Sequence, residues 1–165
     1  ADSCYNGVNT KREGETMIRK PTAADREKYI EIAGEFYATD AVLRPVPRAY
    51  LERTFDEMLS SDCYAEGYLF EQKGEIAGYA LIAKTFSQEA GGKVFWLEEI
   101  YVREKFRGQG IAAKFLSFLI ERANACGARL RLEAEKENEK AIRLYEQFGF
   151  VPLPYAQFVK EFDKA

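Results

Sequence analysis

Val94-Phe95-Trp96-Leu97-Glu98-Glu99-Ile100-Tyr101-Val102, then Arg103-Glu104-Lys105-Phe106, then Arg107-Gly108-Gln109-Gly110-Ile111-Ala112, is the stretch on which the fold turns. Its first nine residues are rich in aromatic and β-branched side chains and read as a strand. Its end opens a helix, because Ile111, Phe115, Leu116, Leu119, Ile120 and Ala123 recur at helical spacing. Glycine at 108 and 110 lets the backbone turn tightly and removes side chains that would block a ligand. The orphan N–H groups of the helix start, with the helix dipole, then form an anion site. Arg103, Lys105, Arg107 and Lys114 against the single carboxylate Glu104 make this segment basic in a chain of net charge −3. A phosphate-bearing ligand satisfies both observations. The plainer reading is a strand–helix turn with a solvated basic rim.

Working outward, Met17-Ile18-Arg19-Lys20 reads as a short first strand, and Thr22 with Asp25 as a helix N-cap pair. Tyr29, Ile30, Ala33, Phe36 and Tyr37 mark a first helix, which Pro45 and Pro47 end. Leu51, Phe55, Met58 and Leu59 mark a second. Tyr64 to Glu71 and Ile76 to Lys84 are apolar runs joined by Gln72-Lys73-Gly74-Glu75, a hairpin signal. A loop from Ser87 to Gly92 leads into the strand already quoted. Beyond the glycine-started helix, closed by Cys126-Gly127, Arg129 to Glu133 alternates as a strand. Asn138 caps a short helix carrying Ala141, Ile142, Leu144, Tyr145 and Phe148, stopped by Gly149. Strands near Phe150 to Leu153 and Tyr155 to Phe162 are expected to finish the chain. The predicted order is β-α-α-β-β-β-α-β-α-β-β, an α/β protein with one mixed sheet and helices on both faces.

The 165 residues suit one domain, spanning 16–165, after a polar stretch over 1–15 that reads as a flexible extension, with Met17 a plausible natural start. Hydrophobic residues at 47% and charged residues at 31% exclude disorder. Net charge −3 gives no electrostatic footprint for nucleic acid, and no apolar run approaches the ~20 residues of a membrane helix. Cys4, Cys63 and Cys126 are widely spaced and odd in number, which suggests reduced thiols and a cytoplasmic setting. Histidine is absent, so His-based triads, His metal sites and His proton shuttles are excluded, and no metal site is expected.

No Gly-Lys-Ser/Thr follows the glycines, so a P-loop is excluded. A dinucleotide fingerprint is a rival, since Gly108, Gly110 and Ala113 satisfy G-x-G-x-x-A with Glu133 downstream. Against it, Arg103 to Phe106 separate strand from glycine, and few further β-α units follow. Arg107-x-x-Gly110-x-Ala112 resembles the acetyl-CoA motif R/Q-x-x-G-x-G/A of the GCN5-related N-acetyltransferases, the GNAT family. A second motif of that family is matched by Asn138-Glu-Lys-Ala141-Ile-Arg-Leu144-Tyr145-Glu-Gln-Phe-Gly149-Phe150. The resemblance covers residues 17 to 162. It implies a splayed sheet with acetyl-CoA wedged between the strands at 94–102 and 129–135, leaving CoA as product.

By the same resemblance, backbone groups of Ile100, Tyr101 and Val102 would bond the pantetheine arm, and the N–H groups from Arg107 through Gly108, Gln109, Gly110, Ile111 and Ala112 would hold the pyrophosphate. Asn138 would add a bond to the cofactor, beyond capping its helix. Tyr145 would protonate the departing thiolate, although its place on an apolar stripe also suits core packing. Glu98 or Glu99 would serve as base. Alternation puts them on opposite faces, and apolar neighbours raise a carboxyl pKa toward neutrality. The family position favours Glu98, and a strand bulge would alter the choice. Glu35, Phe36, Tyr37 and Asp40 at the end of the first helix, with the loop at 87–92, are candidates for the acceptor pocket. Their alternative is an ordinary helix face.

The function this implies is acetyl transfer to a primary amine by direct attack, on a small molecule or a protein or peptide amine. The acidic balance mildly favours an amine or polyamine acceptor. The family also makes a homodimer compatible. A CoA-binding regulatory module without activity is the alternative, and a dinucleotide-binding oxidoreductase the third reading.

Overall fold

The computed structural model describes residues 16–39, 45–61 and 63–162. The expected extension at 1–15, with Cys4, and the candidate Asp40 lie outside the described residues. Among the described residues, five strands form one sheet in sequence order: β1 (Met17–Arg19), β2 (Ala65–Gln72), β3 (Glu75–Ser87), β4 (Gly92–Val102) and β5 (Arg129–Leu132). The first four pair antiparallel, and β5 joins β4 in parallel. Helices α1 (Arg26–Tyr37) and α2 (Arg48–Ser60) cover one face; α3 (Ile111–Cys126) and α4 (Glu139–Gln147) cover the other. A run of four antiparallel strands excludes the doubly wound parallel sheet that a dinucleotide-binding oxidoreductase of the expected kind needs.

Local chemistry explains the joints. Thr22 donates its N–H and its hydroxyl to Asp25, both at 2.8 Å, and Arg19 grips the same carboxylate with two bonds of 2.8 Å. That pins β1 to the start of α1. Between β2 and β3, Lys73 and Gly74 both take positive φ (52° and 81°), the two-residue turn whose twist matches paired strands. Phe70, Ile82, Phe95 and Phe115 fill the α3 side of the sheet, and Tyr29, Phe55, Leu69 and Tyr79 the α1–α2 side.

The two strands expected after α4 do not form. Residues 150–162 carry no regular structure, and Val151, Leu153, Tyr155, Phe158, Val159 and Phe162 are exposed. Pro152 and Pro154 account for the first, near Phe150 to Leu153. Each lacks an N–H and fixes φ, so two ladder donors are lost within three residues. The N–H of Phe150 is spent on the carbonyl of Tyr145, extending the end of α4.

Two features of β4 make room for a site. First, Leu81 pairs with Glu99 but Ile82 with Leu97, so Glu98 is an extra residue, a β-bulge. Second, β5 pairs with β4 only from Val94 to Leu97, and then stops at Leu132 while β4 runs on to Val102. The two strands part from the bulge onward.

At the other end of β2, the carboxylate of Glu66 is almost fully buried. It accepts from Tyr68 Oη at 2.5 Å, Arg122 Nη2 at 2.6 Å and Lys84 Nζ at 2.9 Å. Burial works to raise its pKa, but the Tyr68 bond, Arg122 and Lys84 outweigh it and bring the value from 4.5 down to about 2. A carboxyl with a depressed folded pKa stabilises above its unfolded pKa and loses that contribution as pH falls through the folded value. Urea unfolding of the wild type is therefore expected to show stability draining between about pH 4.5 and 2. Glu66→Ala, which strands two buried cations, should cost about 3–5 kcal/mol at neutral pH and flatten that drain. A loss below ~1 kcal/mol would show the network to be dispensable.

Candidate functional site

Where β4 and β5 separate, the structure has a cleft of about 880 Å³. One wall is β4 from Leu97 to Val102, another the turn and first residues of α3, and a third the segment after β5 with α4.

The turn is shaped by its glycines. Gly108 and Gly110 both have φ of +75°, the left-handed region that side chains disfavour, and a Cβ on either would project into open space. Gly110 caps α3 with no side-chain hydrogen bond, and the first turn carries no acidic residue. The N–H groups of this helix start are thus directed at a concave, positively polarised surface. Arg107, Gly108, Gly110, Ile111 and Ala112 line the cleft, whereas Gln109 turns its side chain away to Gln72.

The edge of β4 has a defined polarity. The N–H of Arg103 donates to Ala77 O at 2.9 Å, so its backbone faces β3. By alternation Tyr101 faces β3 too, while Ile100 and Val102 face the cleft. Of the three backbones expected to meet the cofactor arm, those of Ile100 and Val102 face the cleft and that of Tyr101 faces β3; Tyr101 lines the cleft with its ring between Phe36 and Arg107. Arg107 donates its Nε to the carbonyl of Val102 at 2.9 Å, occupying the last acceptor of that edge.

Glu98 and Glu99 both line the cleft, although strict alternation separates them; the bulge accounts for this. Glu99 is held at 2.5 Å by the hydroxyl of Tyr37, from the end of α1, and at 2.5 Å by that of Tyr79 on β3. Burial raises its pKa, and the two phenols act against the rise. The Glu98 carboxyl is pushed up by burial and then by the like charges of Glu133 and Glu99. Tyr145, half-buried on α4, is pushed up by burial and stays protonated at neutral pH. It shares the cleft with Asn138, whose Oδ1 accepts from Ala141 N at 3.1 Å, as an N-cap should.

Glu35 is placed elsewhere. Both its oxygens are taken by Arg103, at 2.9 and 2.7 Å, in a fork-like pair that fastens α1 to the end of β4. Phe36 does line the cleft, and Tyr37 acts on it through Glu99. The sequence reading passed over Thr39, Tyr79, Glu135 and Lys140. Glu133, which the sequence offers only as the end of a strand and as the acidic residue downstream of a dinucleotide fingerprint, also lines the cleft. No local pattern marks them; they meet the cleft through pairing and crossing of distant elements.

Cleft, polarised helix start and open strand edge thus meet in one place. A family model described as the acetyltransferase (GNAT) family matches residues 29–150, and the chain belongs to that family. It is 35% identical over 83 residues to the thialysine N-epsilon-acetyltransferase of Bos taurus, covering 50% of this chain and 48% of that protein. It is 28% identical over 141 residues to the glucosamine 6-phosphate N-acetyltransferase of Arabidopsis thaliana, covering 80% and 87%. The chain spans about half the length of the first of these. Its fold matches the aminoglycoside N-acetyltransferase AAC(6')-Iy, solved in complex with CoA, with a TM-score of 0.73 at 16% identity over 93% of this chain and 99% of that one.

The two phenols on Glu99 generate a prediction. Tyr37→Phe removes one bond to the charged form, so the Glu99 pKa should rise further and stability should fall by about 1–3 kcal/mol. Carboxyl-carbon NMR titration reads the first and urea unfolding the second. A Glu99 pKa that stays put would mean that Tyr79 alone holds the carboxylate.

Proposed function

We propose that this protein is an N-acetyltransferase that moves an acetyl group from acetyl-CoA to a primary amine by direct attack. One observation carries the reading. The run of β4 beyond its bulge, open on the β5 side, leads to the start of α3, where no side chain caps the helix, within a cleft that also holds carboxyls and a phenol. The residues fit the ligand. Ile100 and Val102 turn backbone groups outward for an extended amide-bearing arm, and the helix start with Gly108 and Gly110 has donors and room for a pyrophosphate. Asn138, with its cap bond made through Oδ1, keeps its amide N–H₂ for the same arm. CoA in the related fold supports this choice.

Acetyl-CoA supplies an activated acyl carbon whose bond to sulfur breaks as the bond to the amine nitrogen forms. Glu98 accepts the proton that the amine must lose. Burial and its acidic neighbours raise its affinity for that proton toward the range a base needs near neutrality. Glu99, saturated by two phenols, is better suited to orienting the end of α1 than to taking a proton. Tyr145 donates its hydroxyl proton to the leaving sulfur and regains one from water. With histidine absent, no Cys–His nucleophile competes with direct attack. The acidic wall of Glu98, Glu99 and Glu133 favours a cationic acceptor, in keeping with a small amine. Relatives named for thialysine and for glucosamine 6-phosphate support that class.

Thermal unfolding with acetyl-CoA, CoA, NADH and ATP in parallel tests the cofactor. At 100 times its dissociation constant, each CoA species should add about 2.7 kcal/mol, and NADH nothing. Stabilisation by NADH alone overturns the reading. Tyr145→Phe should lower kcat about 10²-fold while leaving acetyl-CoA affinity within about twofold. Glu98→Gln should remove the acidic limb of the kcat/KM profile, a limb displaced above the ordinary carboxyl range because the folded pKa is raised. A surviving limb would transfer the role of base to another group.

A further inference from the structure

The glycine turn is braced from behind. Gln72, the last residue of β2, is only 9% exposed, and its Nε2 donates to Oε1 of Gln109 at 3.0 Å. Gln109 stands between the two left-handed glycines, and its own Nε2 donates to the carbonyl of Lys105 at 3.4 Å. A carbonyl only accepts, so this second bond fixes which way round the Gln109 amide lies, and through it the amide of Gln72. The Oε1 of Gln72 is left buried with no hydrogen-bond partner. A buried acceptor without a partner is destabilising, so packing alone would favour an apolar side chain of the same length here. The hairpin that carries Gln72 also grips the segment before the glycines, through Arg103 N–H to Ala77 O and the ion pair of Lys105 with Glu75.

We propose that Gln72 is a positioning residue for phosphate binding. Its amide draws Gln109 to the back of the turn, clear of the cleft, and holds the backbone from Gly108 to Ala112 with its N–H groups aimed at the ligand. The stability forgone at the unpartnered oxygen is the counterpart of a turn shaped before the ligand arrives. This rests on the reading of the turn as the pyrophosphate site.

The test is a thermodynamic cycle on the full chain, with CoA as the calorimetric ligand and unfolding of the ligand-free protein as the control. Gln72→Met keeps the volume and removes both polar atoms. It should weaken CoA binding about five- to tenfold, the worth of one hydrogen bond, while the Tm of the free protein stays level or rises. Gln109→Ala should weaken CoA binding by a similar factor, and Gln72→Met with Gln109→Ala together by no more than either alone. An unchanged CoA affinity in Gln72→Met, additive losses in the double variant, or a loss that comes only with a lowered Tm would each overturn the proposal. Failure of the wild type to bind CoA is a different result: it removes the pyrophosphate reading itself, and the role of Gln72 with it.

Discussion

One inserted residue governs this molecule. Glu98 adds a count to β4 that β3 does not match, and the strand bends there. Pairing with β5 ends at Leu97, the residue just before the insertion, and the space now open begins there. The same slip brings Glu98 and Glu99 to one cavity, although neighbours in a regular strand look opposite ways. The cleft and its paired carboxyls thus share one backbone irregularity.

A bulge of this kind lowers local order, and the surrounding contacts restore it. Tyr37 and Tyr79 clamp the carboxylate that follows the bulge, one from a helix and one from the neighbouring strand. Arg103, just past the end of β4, is tied to Glu31 and Glu35 on α1 and to the carbonyl of Ile76. These bonds sit on the α1 side of the strand. On its other side lie the packed aromatic rings under α3. The bent strand is therefore gripped on both faces while its edge is left open.

What could be read from the sequence was local. Helical periodicity pointed to the four α-helices among the described residues, the Lys73–Gly74 pair to the central hairpin, and the glycines at 108 and 110 to the tight turn that opens α3. What could not be read was contact across the chain. Glu35 is engaged by a residue 68 positions away and Tyr37 by one 62 positions away, and nothing in either neighbourhood announces it. The missing final strands are a different case. Pro152 and Pro154 are in plain view, and their lost donors outweigh the apolar character that suggests a strand near Phe150 to Leu153. The bulge lies between: the pair Glu98-Glu99 in an apolar strand hints at irregularity, but only pairing with β3 shows which residue is extra.

The open run of β4 also bears on how the protein behaves among its own copies. An exposed strand edge invites another chain to add to it, and long flat edges lead to aggregates. Here the invitation is short. A charged side chain stands at the bulge, Arg107 has already covered the carbonyl of Val102, and the outward-facing backbone between them amounts to Ile100 and the N–H of Val102. That is too little ladder to template a neighbouring polypeptide. The edge is open, but too short to pair with a copy of itself.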